Sequence, residues 1–132
     1  MIEVFKTDFI RAQMTPEELG QLSKDFEQYK KSGIPADYFG RDALYNHINS
    51  SPLVLSSELQ HIHILTPSKA LTDKRRQFNK TSDDHLVYCN GYYSNQAYLL
   101  ISLLSPDAHT QSRNNHVMYS LAKMADKFRE KN

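Results

Sequence analysis

The sequence predicts an α+β domain, a small antiparallel sheet with helices packed on one face and a further helix at the C-terminus. Three observations carry this. A fully signposted amphipathic helix begins at Thr15-Pro16-Glu17-Glu18. Several runs of alternating or apolar residues lie between 53 and 104. A last apolar stripe runs Val117, Leu121, Met124, Phe128, spaced 4, 3 and 4 apart. Strands and helices in the order β-α-(α)-β-β-β-α fit segregated layers better than alternating βαβ units. At 132 residues the chain is one domain, 1–132, with a single real core.

Ile2-Glu3-Val4-Phe5-Lys6 reads as a short opening strand. In the helix that follows, Thr15 is the N-cap, Pro16 the first helical residue and Glu18 the partner that closes a capping box. Leu19, Leu22, Phe26 and Tyr29 form one stripe over about four turns. Lys30 and Lys31 suit the negative end of the dipole, and Gly33 with Pro35 stops the helix. Asp37 to Tyr45 is read as a short second helix or an aromatic turn, and Asn49-Ser50-Ser51-Pro52 as a loop. Leu53-Val54-Leu55 and Gln60 to Leu65 are read as strands, the second with Ile62 and Ile64 on one face and His61 and His63 on the other.

Pro67 to Ser82 is a polar, basic excursion between strands. Asp84 to Cys89 and Ala97 to Leu104 are strands joined by a hairpin around Asn90-Gly91 to Asn95. The second of these is apolar on both faces, which places it centrally. Pro106 ends it. The last helix spans about Ser112 to Arg129, with Arg113, Lys123, Lys127, Arg129 and Lys131 assigned to its exposed side.

Composition narrows the functional classes. With 39% apolar and 11% aromatic residues the chain is too apolar to be disordered. The longest apolar stretch, Tyr98 to Leu104, falls far short of the roughly 20 residues of a spanning helix. The N-terminus lacks a secretory pattern, so a cytoplasmic location is expected. The lone Cys89 forms neither an internal disulfide nor a cysteine-based zinc site, and reads as a small core residue. The net charge of +1 hides an asymmetry. Residues 1–68 carry 6 basic and 9 acidic side chains, and residues 69–132 carry 10 and 6. A polyanion such as RNA therefore meets the second half, through Lys74, Arg75, Lys80, Arg113 and Lys123.

Six histidines give the chemistry its candidates. Alternation puts His61 and His63 on one sheet face, and His85, Val87 and Cys89 on the corresponding face of the later strand. Pairing of these strands gathers the imidazoles on one surface, with His109 just beyond the last strand. RNA cleavage by the 2′-hydroxyl needs a base, an acid and a cation at the phosphorane. Histidine suits the first two and arginine the third. Arg76, in the run Lys74-Arg75-Arg76, is the candidate cation. The same residues equally suit an ordinary polar sheet face. Three imidazoles, from His61, His63 and either His85 or His109, also match a transition-metal site. Tyr92-Tyr93 offer base stacking or rim packing. Arg41-Asp42 reads as a structural salt bridge unless Arg41 reaches the phosphate face.

Several blocks carry a family resemblance: Val4-Phe5-Lys6-Thr7, Thr15-Pro16-Glu17-Glu18-Leu19, Phe39-Gly40-Arg41-Asp42-Ala43-Leu44-Tyr45, His61-Ile62-His63, Arg76-Gln77-Phe78, His85-Leu86-Val87-Tyr88-Cys89 and Lys123-Met124-Ala125. With these the sequence resembles the YafO toxins of bacterial type II toxin–antitoxin pairs, essentially end to end. More distantly it resembles the RelE/YoeB toxins, whose strand often reads Arg-Leu-Val-Tyr where this chain has His85-Leu86-Val87-Tyr88. The resemblance implies a RelE/ParE-like architecture and an mRNA interferase acting at the A site of the 70S ribosome. It also implies silencing by a cognate antitoxin of the YafN type encoded nearby. His85 stands where the RelE/YoeB pattern has a phosphate-holding arginine, and no counterpart of the YoeB-type glutamate is evident near Pro52-Leu53. Histidines are then left to move the protons. His85 or His63 is the expected base, His109 the acid and Arg76 the cation, with no metal or other cofactor required. A binding module that blocks the ribosome without cutting RNA is the alternative, and a gyrase-poisoning ParE-like toxin a third.

Overall fold

The computed structural model describes residues 1–47 and 50–132. The expected α+β class stands, and so does the added C-terminal helix. Among the described residues five strands, β1 (Glu3–Lys6), β2 (Phe39–Leu44), β3 (Gln60–Ile64), β4 (His85–Asn90) and β5 (Ala97–Leu104), form one sheet in the order β1-β5-β4-β3-β2. Three neighbouring pairs are antiparallel, whereas β1 lies parallel to β5 with Glu3 opposite Ala97. The sheet is therefore mixed. β5, with a partner on each side, has the interior place that its two apolar faces call for.

Among the described residues six helices pack around it: α1 (Asp8–Arg11), α2 (Pro16–Ser32), α3 (Pro52–Ser56), α4 (Pro67–Thr72), α5 (Ala108–Gln111) and α6 (Asn115–Lys131). α2 carries the capping box: Thr15 Oγ1 accepts from the Glu18 amide and Glu18 accepts from the Thr15 amide. It ends at Gly33 with φ 77°, the left-handed cap that glycine adopts without a Cβ penalty. Its stripe of Leu19, Leu22 and Phe26 packs with Ile10 of α1 on Ile62, Leu86, Tyr88 and Leu100 of the sheet. The helices occupy both faces, not one. α6 buries Met118, Leu121, Ala122 and Ala125 on the opposite face, against Val87, Cys89, Leu99 and Ile101, with Val54 of α3 alongside. The added helix needs a surface for its own apolar stripe, and the face left bare by α2 supplies it.

Some elements differ from expectation. Phe39–Leu44, read as helix or turn, is a strand, because pairing with β3 outweighs local preference. An irregularity between Phe39 and Asp42 masks its alternation. Leu53-Val54-Leu55, read as a strand, lies in a short helix. Ser51 accepts from the Val54 amide and Pro52 opens the helix. Within the excursion, Thr66-Pro67 repeats that device at the start of α4. The loop expected at Asn49 to Pro52 has Asn49 outside the described residues, and Ser50-Ser51 lies between elements.

Arg129, assigned to the exposed side of α6, is buried. It donates to the Asn90 carbonyl at 2.9 Å and pairs with Glu58 at 2.9 Å, tying the helix to β4 and to the end of α3. The fully buried residues of α6 also sit one position round from part of the expected stripe. Met118 and Ala125 are buried, while Val117, Met124 and Phe128 are half-buried.

The expected Arg41–Asp42 bridge does not form. Consecutive strand residues face opposite ways, so Asp42 points towards α2 and Arg41 away from it. Asp42 accepts from Tyr29 Oη at 2.9 Å, Lys30 Nζ at 3.2 Å and Tyr88 Oη at 2.6 Å, which fastens α2 to the sheet.

Candidate active site

α6 and α3 cover only the β5–β4 side of the second sheet face. On β3 and at the start of β4 that face carries imidazoles instead of aliphatic side chains. His61 stands opposite Val87, and His63 opposite His85. Equal strand parity puts all three rings on the same side. The centroid of His61 lies 5.2 Å from that of His63 and 4.6 Å from that of His85, and the His63–His85 separation is 4.3 Å. All three residues are buried.

Each ring is held from one side. Tyr45, just past β2, stacks on His61 at 4.0 Å and 15°, and its hydroxyl lies 2.8 Å from His85 Nδ1. His63 Nδ1 meets the Ser82 backbone, 2.8 Å from its amide and 3.0 Å from its carbonyl. Gly40 lets this arrangement close. A Cβ there falls 2.2 Å from the Lys80 carbonyl oxygen and 3.3 Å from His63 Cβ. Only glycine admits the 77–82 segment so close to β2.

Burial governs the protonation of the cluster. Desolvation, aided by His85 and His63, pushes the His61 imidazole down to about 3. Desolvation, then the neighbouring His63, brings His85 down to about 4. Desolvation lowers His63 as well. At neutral pH the three rings are uncharged, the state required of a proton acceptor.

The cluster floors an open hollow of about 380 Å³, whose rim includes Arg41, His47, Ser82, His109, Ser112 and Arg113. Arg41 Nε donates to the Phe78 carbonyl at 2.6 Å, and its guanidinium lies 4.2 Å from the Phe78 ring centroid. Arg113 Nη2 is 3.4 Å from His109 Nε2. Of the residues singled out in the sequence, Arg41, His61, His63, His85, His109 and Arg113 line the hollow.

Arg76, Arg75, Lys74, Lys80 and Lys123 do not line it. Arg76 is exposed at the start of a single 3-10 turn, Gln77–Asn79. Arg75 is engaged by Asp73 at 2.8 Å. Lys123 sits over Tyr119 on the outer side of α6. Tyr92 and Tyr93 are exposed and lie against Arg129 and Glu130, also outside the hollow. Cys89 is fully buried in the core, as expected.

Sequence reasoning passed over Tyr45 and set Arg41 aside. The signal was alternation: read as a strand, Arg41, Ala43 and Tyr45 share a face.

No solved structure matches the chain. The chain is 44% identical over 129 residues to the mRNA interferase toxin YafO of Escherichia coli (strain K12), covering 97% of this chain and 98% of that one. A sequence model described as toxin YafO, type II toxin–antitoxin system, matches residues 27–130, which include every residue of the hollow. The chain belongs to the YafO toxin family.

Proposed function

We propose that this protein is the toxin of a type II toxin–antitoxin pair and an endoribonuclease that cuts mRNA on the ribosome, in the cytoplasm. The observation that carries the reading is the hollow itself. Neutral imidazoles of His63 and His85 share one open depression with His109 and two guanidinium groups. The similarity to an mRNA interferase supports the substrate class.

In the reaction, His63 or His85 takes the 2′-hydroxyl proton, and the 2′-oxygen attacks the adjacent phosphorus. The bond from phosphorus to the 5′-oxygen breaks. His109 gives that oxygen a proton, leaving a 2′,3′-cyclic phosphate and a free 5′-hydroxyl. Charge gathering on the phosphorane is met by Arg41 and Arg113, which line the hollow, in place of Arg76, which does not. Arg76, Lys74, Arg75, Lys80 and Lys123 act as a more distant basic surface, drawing in RNA in a salt-dependent way. An acidic cognate antitoxin opposes them by covering the same basic ground.

Primer extension on mRNA from arrested cells tests the reading. Discrete new 5′ ends are expected with the native chain. They are expected to disappear with Arg41→Ala or His85→Ala and to persist with Arg76→Ala. Arrest with uncut transcripts refutes cleavage and favours a ribosome-blocking module. Full cutting by Arg41→Ala removes that residue from the mechanism.

A further inference from the structure

We propose that His61, His63 and His85 form a three-imidazole site for a zinc-class transition-metal dication, and that the bound ion holds the toxin inactive. One candidate ligand atom from each ring lies within 4.8 Å of the others. Zinc–nitrogen bonds of 2.0–2.1 Å in a tetrahedral site put the donors about 3.4 Å apart, so small side-chain rotations close the set.

The polar bonding of the cluster points the same way. Among the described residues, the buried side-chain nitrogens and oxygens without any partner are two, His61 Nδ1 and His85 Nε2. Both belong to this cluster. A buried polar atom left unpaired carries the cost of its lost hydration, and a native fold rarely keeps two together without a use. Meanwhile two of the rings have a protein partner at the other nitrogen: His85 Nδ1 meets Tyr45 Oη and His63 Nδ1 meets the Ser82 backbone, while the His61 ring is fixed by stacking on Tyr45. Metal-binding histidines are held in this manner, with one nitrogen fixed by an outer partner and the other turned to the ion. Three neutral nitrogen donors select zinc, cobalt, nickel or copper over magnesium or calcium.

Inhibition rests on the mechanism proposed above. A ring whose free lone pair is committed to a metal cannot accept the 2′-hydroxyl proton. Zinc then restrains the toxin in addition to its antitoxin, and loss of zinc releases it.

Titration of the chelator-stripped full chain with Zn²⁺, followed by calorimetry, tests the site. One ion per chain at micromolar affinity or tighter is expected, with Co²⁺ giving a visible absorption of tetrahedral intensity. His61→Gln is expected to weaken binding by roughly 100-fold, and Tyr45→Phe by about 10-fold through loss of the outer partner. No stoichiometric binding, or binding untouched by His61→Gln, overturns the site. Far-UV circular dichroism in chelator shows whether the variants fold. If His61→Gln does not, ring ¹⁵N shifts of the native chain decide: three buried rings moving together support the site, and shifts confined to His47, His109 and His116 sink it. Cleavage is read in parallel. Binding without inhibition upholds the metal site and refutes the histidine proton transfer, whereas absent binding refutes only the site.

Discussion

Replacing Gly40 by alanine tests whether the close approach of the 77–82 segment to β2 builds the active hollow. The added Cβ falls 2.2 Å from the Lys80 carbonyl oxygen and 3.1 Å from its carbonyl carbon. Ordinary contact needs roughly 3.4 Å or more, so the segment must retreat by about 1.2 Å. The obstacle is backbone, which cannot swing aside as a side-chain tip does. Retreat breaks the bond from the Arg41 amide to the Lys80 carbonyl, now 2.8 Å. It also draws Ser82 away from His63 Nδ1 and Phe78 away from Arg41. Overpacking of this kind costs about 1–3 kcal/mol. A displacement near 1 Å at a catalytic group costs about 100-fold in rate. Urea denaturation of purified protein and a primer-extension time course on translated mRNA measure the two effects. A Gly40→Ala chain with native stability and a native cleavage rate refutes the idea that this contact positions the site.

Three further outcomes are expected. Gly20→Ala, in mid-helix of α2 with open space around its Cβ, should raise stability by about 0.5–1 kcal/mol in the same urea assay and leave cleavage unchanged; a loss of stability contradicts the packing described. Lys30→Met removes the cation that faces Asp42 at 3.2 Å, both side chains being mostly buried. A loss of about 3–5 kcal/mol is expected because the carboxylate stays behind uncompensated, and a change below about 1 kcal/mol shows that the tyrosine hydroxyls alone hold it. Burial pushes the Cys89 thiol up to about 12, so at pH 8 it is protonated as well as shielded. Thiol reagents should label the folded protein only as fast as it opens, and rapid stoichiometric labelling in native buffer sinks the core assignment.

The contrast between α2 and the segment from 37 to 56 shows where sequence reading succeeds and stops. In α2 every signal is local: a capping threonine, a proline, a reciprocal glutamate and a terminal glycine all agree with the apolar stripe. The same Thr/Ser-Pro signal also opens α3 and α4. It was legible there too, but Leu53-Val54-Leu55 is short and apolar enough to pass for a strand. β2 has no such local advertisement. Its partner β3 lies some twenty residues away, and its irregularity hides the alternation that would have aligned Arg41 with Tyr45.

The sequence by itself determined the α+β class, both ends of α2, the shared face of His61 and His63 on their strand, and the family. These follow from periodicity, capping chemistry and motif, all written in residues near one another. Only the tertiary structure decided that α6 covers half of the second sheet face, leaving the histidines in an open hollow, and that Arg41 and Tyr45 stand beside them while Arg76 does not. Those relations join residues distant along the chain through strand pairing and packing, and no local pattern encodes which surfaces meet.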